Sequence, residues 1–226
     1  MSYARFAIYY LPPEGALSSF GARWLGWDVL TGRVAPHWPE PGLETVTQTP
    51  RKYGFHATLK PPFRLVDGQT PEALDKAVAA MAAGCAPARA EALEVARIGS
   101  FLALVPRGDT AQIARVAATC VEALDAFRAP ATEAELARRR AARLTPEQEA
   151  LLSRWGYPYV MQAFRFHMTL TGRLDPQDRA AWQDSVARHL PPLPQPFVLD
   201  QVALVGERAD GRFELIHRYP LTGCSA

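Results

Sequence analysis

Cysteine is scarce in this 226-residue chain: Cys85, Cys120 and Cys224 are its three, far apart in sequence. Such spacing gives neither a disulfide framework nor a metal-ligand cluster, and it fits a reducing cytoplasm. Charge of one sign is lacking too. The formal net charge is +2, so no overall field points to a polyanion or a membrane surface. Long apolar runs are absent. The first one, Phe6 to Leu11, stops at Pro12-Pro13, short of a signal peptide, and none later has the length of a bilayer span. What remains is an ordinary soluble composition, 48% hydrophobic and 21% charged, long enough to bury a proper core.

One pattern occurs twice. Phe55-His56-Ala57-Thr58-Leu59 is matched by Phe166-His167-Met168-Thr169-Leu170. A strand alternates its faces, so each His shares a side with the Thr two residues on, while Phe, Ala or Met, and Leu face the other way. The pattern predicts one packed face and one face carrying an imidazole beside a hydroxyl. A single His-x-Thr is weak; a duplicated one, with the same flanking Phe and Leu, is specific.

The elements around the two copies repeat in order. Tyr3 to Leu11 reads as a strand, and Ala16, Leu17, Phe20 and Trp24 fall at helical spacing before Gly26. Residues 33–52, with four prolines, read as loop. The first motif strand, Tyr53 to Lys60, ends at Pro61-Pro62. Thr70-Pro71 opens a helix that runs to about Gly84. Leu93 to Ile98 and Phe101 to Val105 form a hairpin about Gly99-Ser100, and Asp109 caps the next helix. After the second motif strand, Arg165 to Gly172, the series returns: a helix capped at Asp175, then a hairpin of Phe197 to Val205 with Arg212 to Tyr219. The expected fold is therefore α+β and bilobal. Two pseudo-symmetric antiparallel sheets, flanked by helices, would face each other across a central cleft. The whole chain, 1–226, forms one such domain. Its first half is about 1–129 and its second about 161–226. Two capping boxes, Thr132 with Glu135 and Thr145 with Gln148, mark a helical insertion at about 130–160.

Two imidazoles at one site can divide acid and base work, since the ordinary histidine pKa of about 6.5 lets one be neutral while the other is charged. His56 and His167 are thus the candidate catalytic pair, with either assignment of acid and base open. The competing readings are structural histidines bonding local backbone, or a metal pair lacking its further ligands. Thr58 and Thr169 offer donors to the non-bridging oxygens of a phosphate. Lys60, Arg165 and Thr171 fall on the histidine side by alternation, as anion contacts or as solvated strand ends. Tyr53 and Tyr9 are placed to stack on a base or sugar, or to pack. Arg138 to Arg143 reads as a solvated helix face.

These residues resemble the 2H (two-histidine) phosphoesterase superfamily, which includes RNA 2′,3′-cyclic phosphodiesterases. More narrowly, Lys52 to Phe63 and the insertion look like a bacterial branch associated with phosphonate-metabolism gene clusters. The resemblance covers most of the chain. It implies a metal-free cyclic phosphodiesterase that needs no cofactor and acts on a small phosphodiester, a ribosyl cyclic phosphate among the natural candidates. An RNA-end phosphodiesterase and a non-catalytic phosphate-binding module are the rival readings. The chain shows no strong basic strip for a long polynucleotide, and no membrane partner is expected.

Overall fold

Every residue of the first strand, β1 (Phe6–Tyr10), is buried, so it must be covered on both faces. In the computed structural model, which describes residues 3–224, β1 lies inside a seven-stranded sheet. Phe6, Ile8 and Tyr10 point into the main core. Ala7 and Tyr9 join a smaller cluster with Trp27, Val29, Ala203, Val205 and Phe213 on the opposite face.

α1 (Ala16–Leu25) follows and ends where Gly26 turns left-handed at φ 76°. It is amphipathic, burying Phe20, Gly21, Trp24 and Leu25. Gly21 is required by close approach, because a Cβ there would sit 2.1 Å from the Phe55 ring. The helix is thereby pressed against the first motif. Residues 33–52 are not simply loop. After the small ribbon of β2 (Trp27–Asp28) and β3 (Arg33–Val34) come two single-turn helices, α2 (Leu43–Val46) and α3 (Gln48–Arg51). Buried Leu43 holds the first of them in place, a tertiary contact that the proline content obscured.

The first motif strand is β4 (Ala57–Phe63), and it runs through Pro61-Pro62 instead of stopping there. The prolines are tolerated because β4 is paired on one side only beyond Ala57, and its register with β1 slips between Lys60 and Phe63. α4 (Pro71–Gly84) starts at a Thr70 cap as expected. β5 (Ala88–Ala90) precedes the hairpin of β6 (Ala92–Ile98) and β7 (Phe101–Arg107). The Asp109 carboxylate accepts from the Ala111 amide at 2.8 Å and opens α5 (Ala111–Ala123). In the insertion, α6 (Glu133–Arg140) and α7 (Pro146–Trp155) both carry complete capping boxes.

The second motif strand is far shorter than expected: β8 comprises Met168–Thr169. Next comes α8 (Arg179–His189), whose cap position is Asp178; Asp175 instead starts the turn before it, its carbonyl accepting from the Asp178 amide. β9 (Phe197–Leu199) pairs with β5, and β10 (Gln201–Glu207) pairs with β11 (Phe213–Pro220).

The sheet order is β11-β10-β1-β4-β8-β7-β6. This is the α+β class with antiparallel pairing throughout, and it corrects the expected arrangement in two ways. The two half-sheets meet edge to edge along β4 and β8 instead of facing each other. Each also mixes the sequence halves: the first hairpin pairs with the second motif strand, and the second hairpin pairs with β1. A two-residue strand cannot satisfy its own edges, so β8 is held between β4 and β7.

Candidate active site

One backbone rung builds the site. Ala57 and Met168 are register partners across β4 and β8. Both are fully buried, with Phe55, Leu59, Phe166 and Leu170 beside them in the main core. The packed face predicted for both motifs is present, which turns the His and Thr side chains to the other face. Extending the antiparallel register by one residue each way sets Thr58 opposite His167 and His56 opposite Thr169. The four side chains then form a square on one face, with the histidines on its diagonal. Diagonal neighbours in such a pair lie about 7–8 Å apart, room for a tetrahedral phosphorus between them.

Each ring is oriented in the same way. His56 Nδ1 lies 2.9 Å from the Gly54 carbonyl, and His167 Nδ1 lies 2.8 Å from the Arg165 carbonyl. In a neutral ring Nδ1–H donates to that carbonyl, which makes Nε2 the accepting nitrogen. Sequence reasoning missed these acceptors; the signal was the constant offset of two residues before each histidine. Gly54 has no substitute there, since its φ is +72° and a Cβ would stand 2.4 Å from Val29. His56 Nε2 lies 3.0 Å from the Thr58 hydroxyl, which donates to it.

The two rings differ in surroundings. Tyr9 stacks on His56 at 3.8 Å between centroids and 25° between planes, and Tyr53 lies 6.0 Å away. Burial holds the His56 imidazole down to about 4, against the Gly54 carbonyl, which favours the charged ring; the charge of nearby His167 lowers it further. At neutral pH His56 is therefore an uncharged base. His167 is half-buried too, and its ring lies tilted by 50° to the Phe101 ring at 5.9 Å between centroids.

Residues 58–214 match a family described as "Protein of unknown function (DUF1045)". The chain belongs to that family. Two curated relatives of this DUF1045 chain carry the name ribose 1,5-bisphosphate phosphokinase PhnN. The one from Janthinobacterium sp. (strain Marseille) is 41% identical over 76% of this chain and 40% of its own length. The one from Laribacter hongkongensis is 33% identical over 82% and 44%. The chain thus spans less than half the length of either. Solved structures aligning over 98% of the chain include E. coli LigT complexed with 3′-AMP, at 15% identity, 99% of that chain and a TM-score of 0.46. A protein from Thermus thermophilus aligns at 16% identity, 100% of that chain and 0.48.

Three of the expected contact residues of the DUF1045 site are engaged elsewhere. Lys60 is 2% exposed. Its ammonium donates to the Val121 carbonyl at 3.0 Å and faces Asp125 at 3.8 Å, capping the last turn of α5. Burial lowers its pKa to about 8, so it still carries its proton at neutral pH. Thr171 is fully buried, and its hydroxyl accepts from the Leu102 amide at 3.0 Å. Tyr9 is fully buried beneath His56, so no base or sugar can reach its ring; its phenol has no hydrogen-bond partner among the described residues. Alternation put Lys60 and Thr171 on the histidine side, but a register slip between Thr58 and Lys60 breaks it in β4, and β8 ends before Thr171. Tyr53 is half-buried at the rim and Arg165 is exposed.

The Lys60 correction has a direct test. Lys60→Met keeps the stem and removes the ammonium. Turnover should stay within a few-fold of the parent, and stability should change by no more than about 2 kcal/mol. A raised KM with unchanged stability would return Lys60 to the substrate.

Proposed function

We propose that this chain is a phosphodiesterase that opens a small cyclic phosphodiester without a metal ion. The observation that carries the reading is the Ala57–Met168 rung, which gathers both histidines and both threonines on one face. The phosphate lies between the rings; the Thr58 hydroxyl turns from His56 Nε2 to it and, with Thr169, donates to its non-bridging oxygens. His56 Nε2 takes a proton from the attacking water as the new P–O bond forms. His167 donates its proton to the ester oxygen as that P–O bond breaks. The depressed proton affinity of His56 under its Tyr9 stack assigns it the base; His167 takes the acid role.

A ribosyl cyclic phosphate is the substrate we favour. Ribose 1,5-bisphosphate, named in the curated relatives, is what remains when the 1,2-cyclic phosphate of ribose 5-phosphate is opened at O2. The reaction leaves the phosphate on C1 and frees the 2-hydroxyl, so it would supply a kinase acting on the bisphosphate.

The test is turnover in EDTA on ribose 1,2-cyclic phosphate, its 5-phosphate, 2′,3′-cyclic nucleotides and a short RNA with a cyclic end. One small cyclic diester should be opened with no loss to the chelator. Activity abolished by EDTA would overturn the metal-free mechanism. The same assay checks the base. Because the folded pKa of His56 is depressed to about 4, the ring stays deprotonated above that value. kcat/KM should therefore hold from neutral pH down to about 5 and decline only as the pH nears 4. An acid limb near the ordinary histidine value of about 6.5 would contradict the assignment.

A further inference from the structure

The run Arg138 to Arg143 is not uniformly solvated. Arg138, Arg140 and Arg143 are exposed, and Arg140 pairs with Glu149 at 2.6 Å. Arg139 alone turns inward. Its guanidinium lies 4.2 Å from the centroid of the Tyr157 ring, and it forms no ion pair among the described residues. It lines a surface recess together with Arg5, Arg64, Arg128 and Glu135, where the insertion meets the far end of β4.

This recess and the histidines border one aromatic floor. Arg5 follows the alternation of Ala7 and Tyr9, and its carbonyl accepts from the Glu207 amide as the β1–β10 ladder continues. Its guanidinium is 5.9 Å from the Phe213 ring, which is 5.9 Å from Tyr9 and 5.4 Å from Tyr53. Tyr9 in turn stacks on His56. Tyr157 reaches the same floor from the insertion: burial raises its phenol pKa, and nearby Tyr53 raises it further.

The charges do not cancel. Glu207 is matched by Arg5 at 2.5 Å, Asp125 by Arg128 at 2.7 Å with Lys60 at 3.8 Å, and Glu135 by Arg64 at 3.7 Å. Among the four arginines that line the recess, Arg139 alone has no carboxylate partner among the described residues. Its unmatched charge leaves the recess net positive, suited to an anion such as a phosphate monoester. Arginine suits such a group, since its planar fork binds phosphate oxygens in pairs.

We infer that this recess holds a second phosphate of the substrate, a terminal monoester on the sugar that carries the cyclic diester, with Arg139 as its principal ligand. The inference rests on the phosphodiesterase reading and adds a specificity: the enzyme selects a phosphorylated sugar over the bare one. It also gives the insertion a role, because Arg139 and Tyr157 both come from it.

The experiment compares ribose 1,2-cyclic phosphate with and without a 5-phosphate, using the full chain and its Arg139→Gln and Arg139→Lys variants. Ribose 5-phosphate is titrated in parallel in phosphate-free buffer. The parent should prefer the 5-phosphorylated substrate. Arg139→Gln should lower kcat/KM for that substrate by about 10- to 100-fold, mainly through KM, and leave the bare sugar unaffected. Arg139→Lys should recover part of the loss. An equal loss on both substrates, or a parent indifferent to the 5-phosphate, would overturn the inference. A preference confined to cyclic-ended RNA would replace the monoester with a chain phosphodiester and overturn it too. If no cyclic diester is turned over, the phosphodiesterase reading fails. The recess is then decided by ribose 5-phosphate alone: weaker binding in Arg139→Gln supports it, and unchanged or absent binding refutes it.

Discussion

Replacing His56 by Gln should lower kcat for cyclic-phosphate opening by about 10²- to 10⁴-fold, the usual contribution of a positioned acid or base. His167→Gln should do the same. Glutamine keeps a polar group of similar reach, and the packed face beneath is untouched: Ala57 and Met168 remain buried partners in the rung. Affinity for the cyclic substrate should therefore change by no more than a few-fold. The two variants should also differ in pH profile. Loss of His56 removes a base that is neutral down to about 4, so the limb on the acid side should vanish in His56→Gln and persist in His167→Gln. If the pair acts as a unit, the double variant should be about as slow as the slower single one. The outcome that would sink the mechanism is a loss confined to binding, with kcat intact. That result would mark a phosphate-binding module instead of a catalyst.

The largest stability effect should come from Trp24→Ala, at about 3–5 kcal/mol. Trp24 is completely buried, and its indole N–H donates to the Leu170 carbonyl at 2.8 Å. Its ring packs near Phe20, Trp182 and His189. The substitution opens a cavity and orphans a buried carbonyl next to Thr169. For a chain of this size the loss corresponds to roughly 10–15 °C in Tm, readable by calorimetry. Trp24→Phe keeps most of the packing and should cost about 1–3 kcal/mol for the unpaired carbonyl. A Trp24→Ala protein as stable as the parent would mean that α1 does not anchor the second motif.

Much of the local structure was legible in the chain. Thr70-Pro71, Thr132 with Glu135, and Thr145 with Gln148 start helices where their side chains reach an amide three residues on. Gly99 reverses the β6–β7 hairpin with φ 58°. The paired His-x-Thr motifs showed which faces would be packed, because strand alternation is a local rule. Failures came where burial by distant residues decided the result. Lys60 lies beyond a register slip that breaks the alternation after Thr58, and Thr171 lies past the end of β8; α5 and β7 close over them, and the Val121 carbonyl and Leu102 amide take their polar groups. The short helix at Leu43 formed in a proline-rich segment because the core had a place for that side chain.

By itself, then, the sequence determined the duplicated motif, the helix starts, the hairpins and the class of chemistry that two imidazoles and two hydroxyls can perform. Each of these depends on interactions within a turn or a strand. Only the tertiary structure decided that the hairpins exchange halves, that β4 and β8 meet through a single rung, and that Tyr9 stacks on His56 but not on His167. Strand pairing between distant segments is chosen by which edges and apolar faces the whole chain must cover, and a residue's proton affinity by what finally surrounds it. Neither quantity is carried by any short stretch of residues.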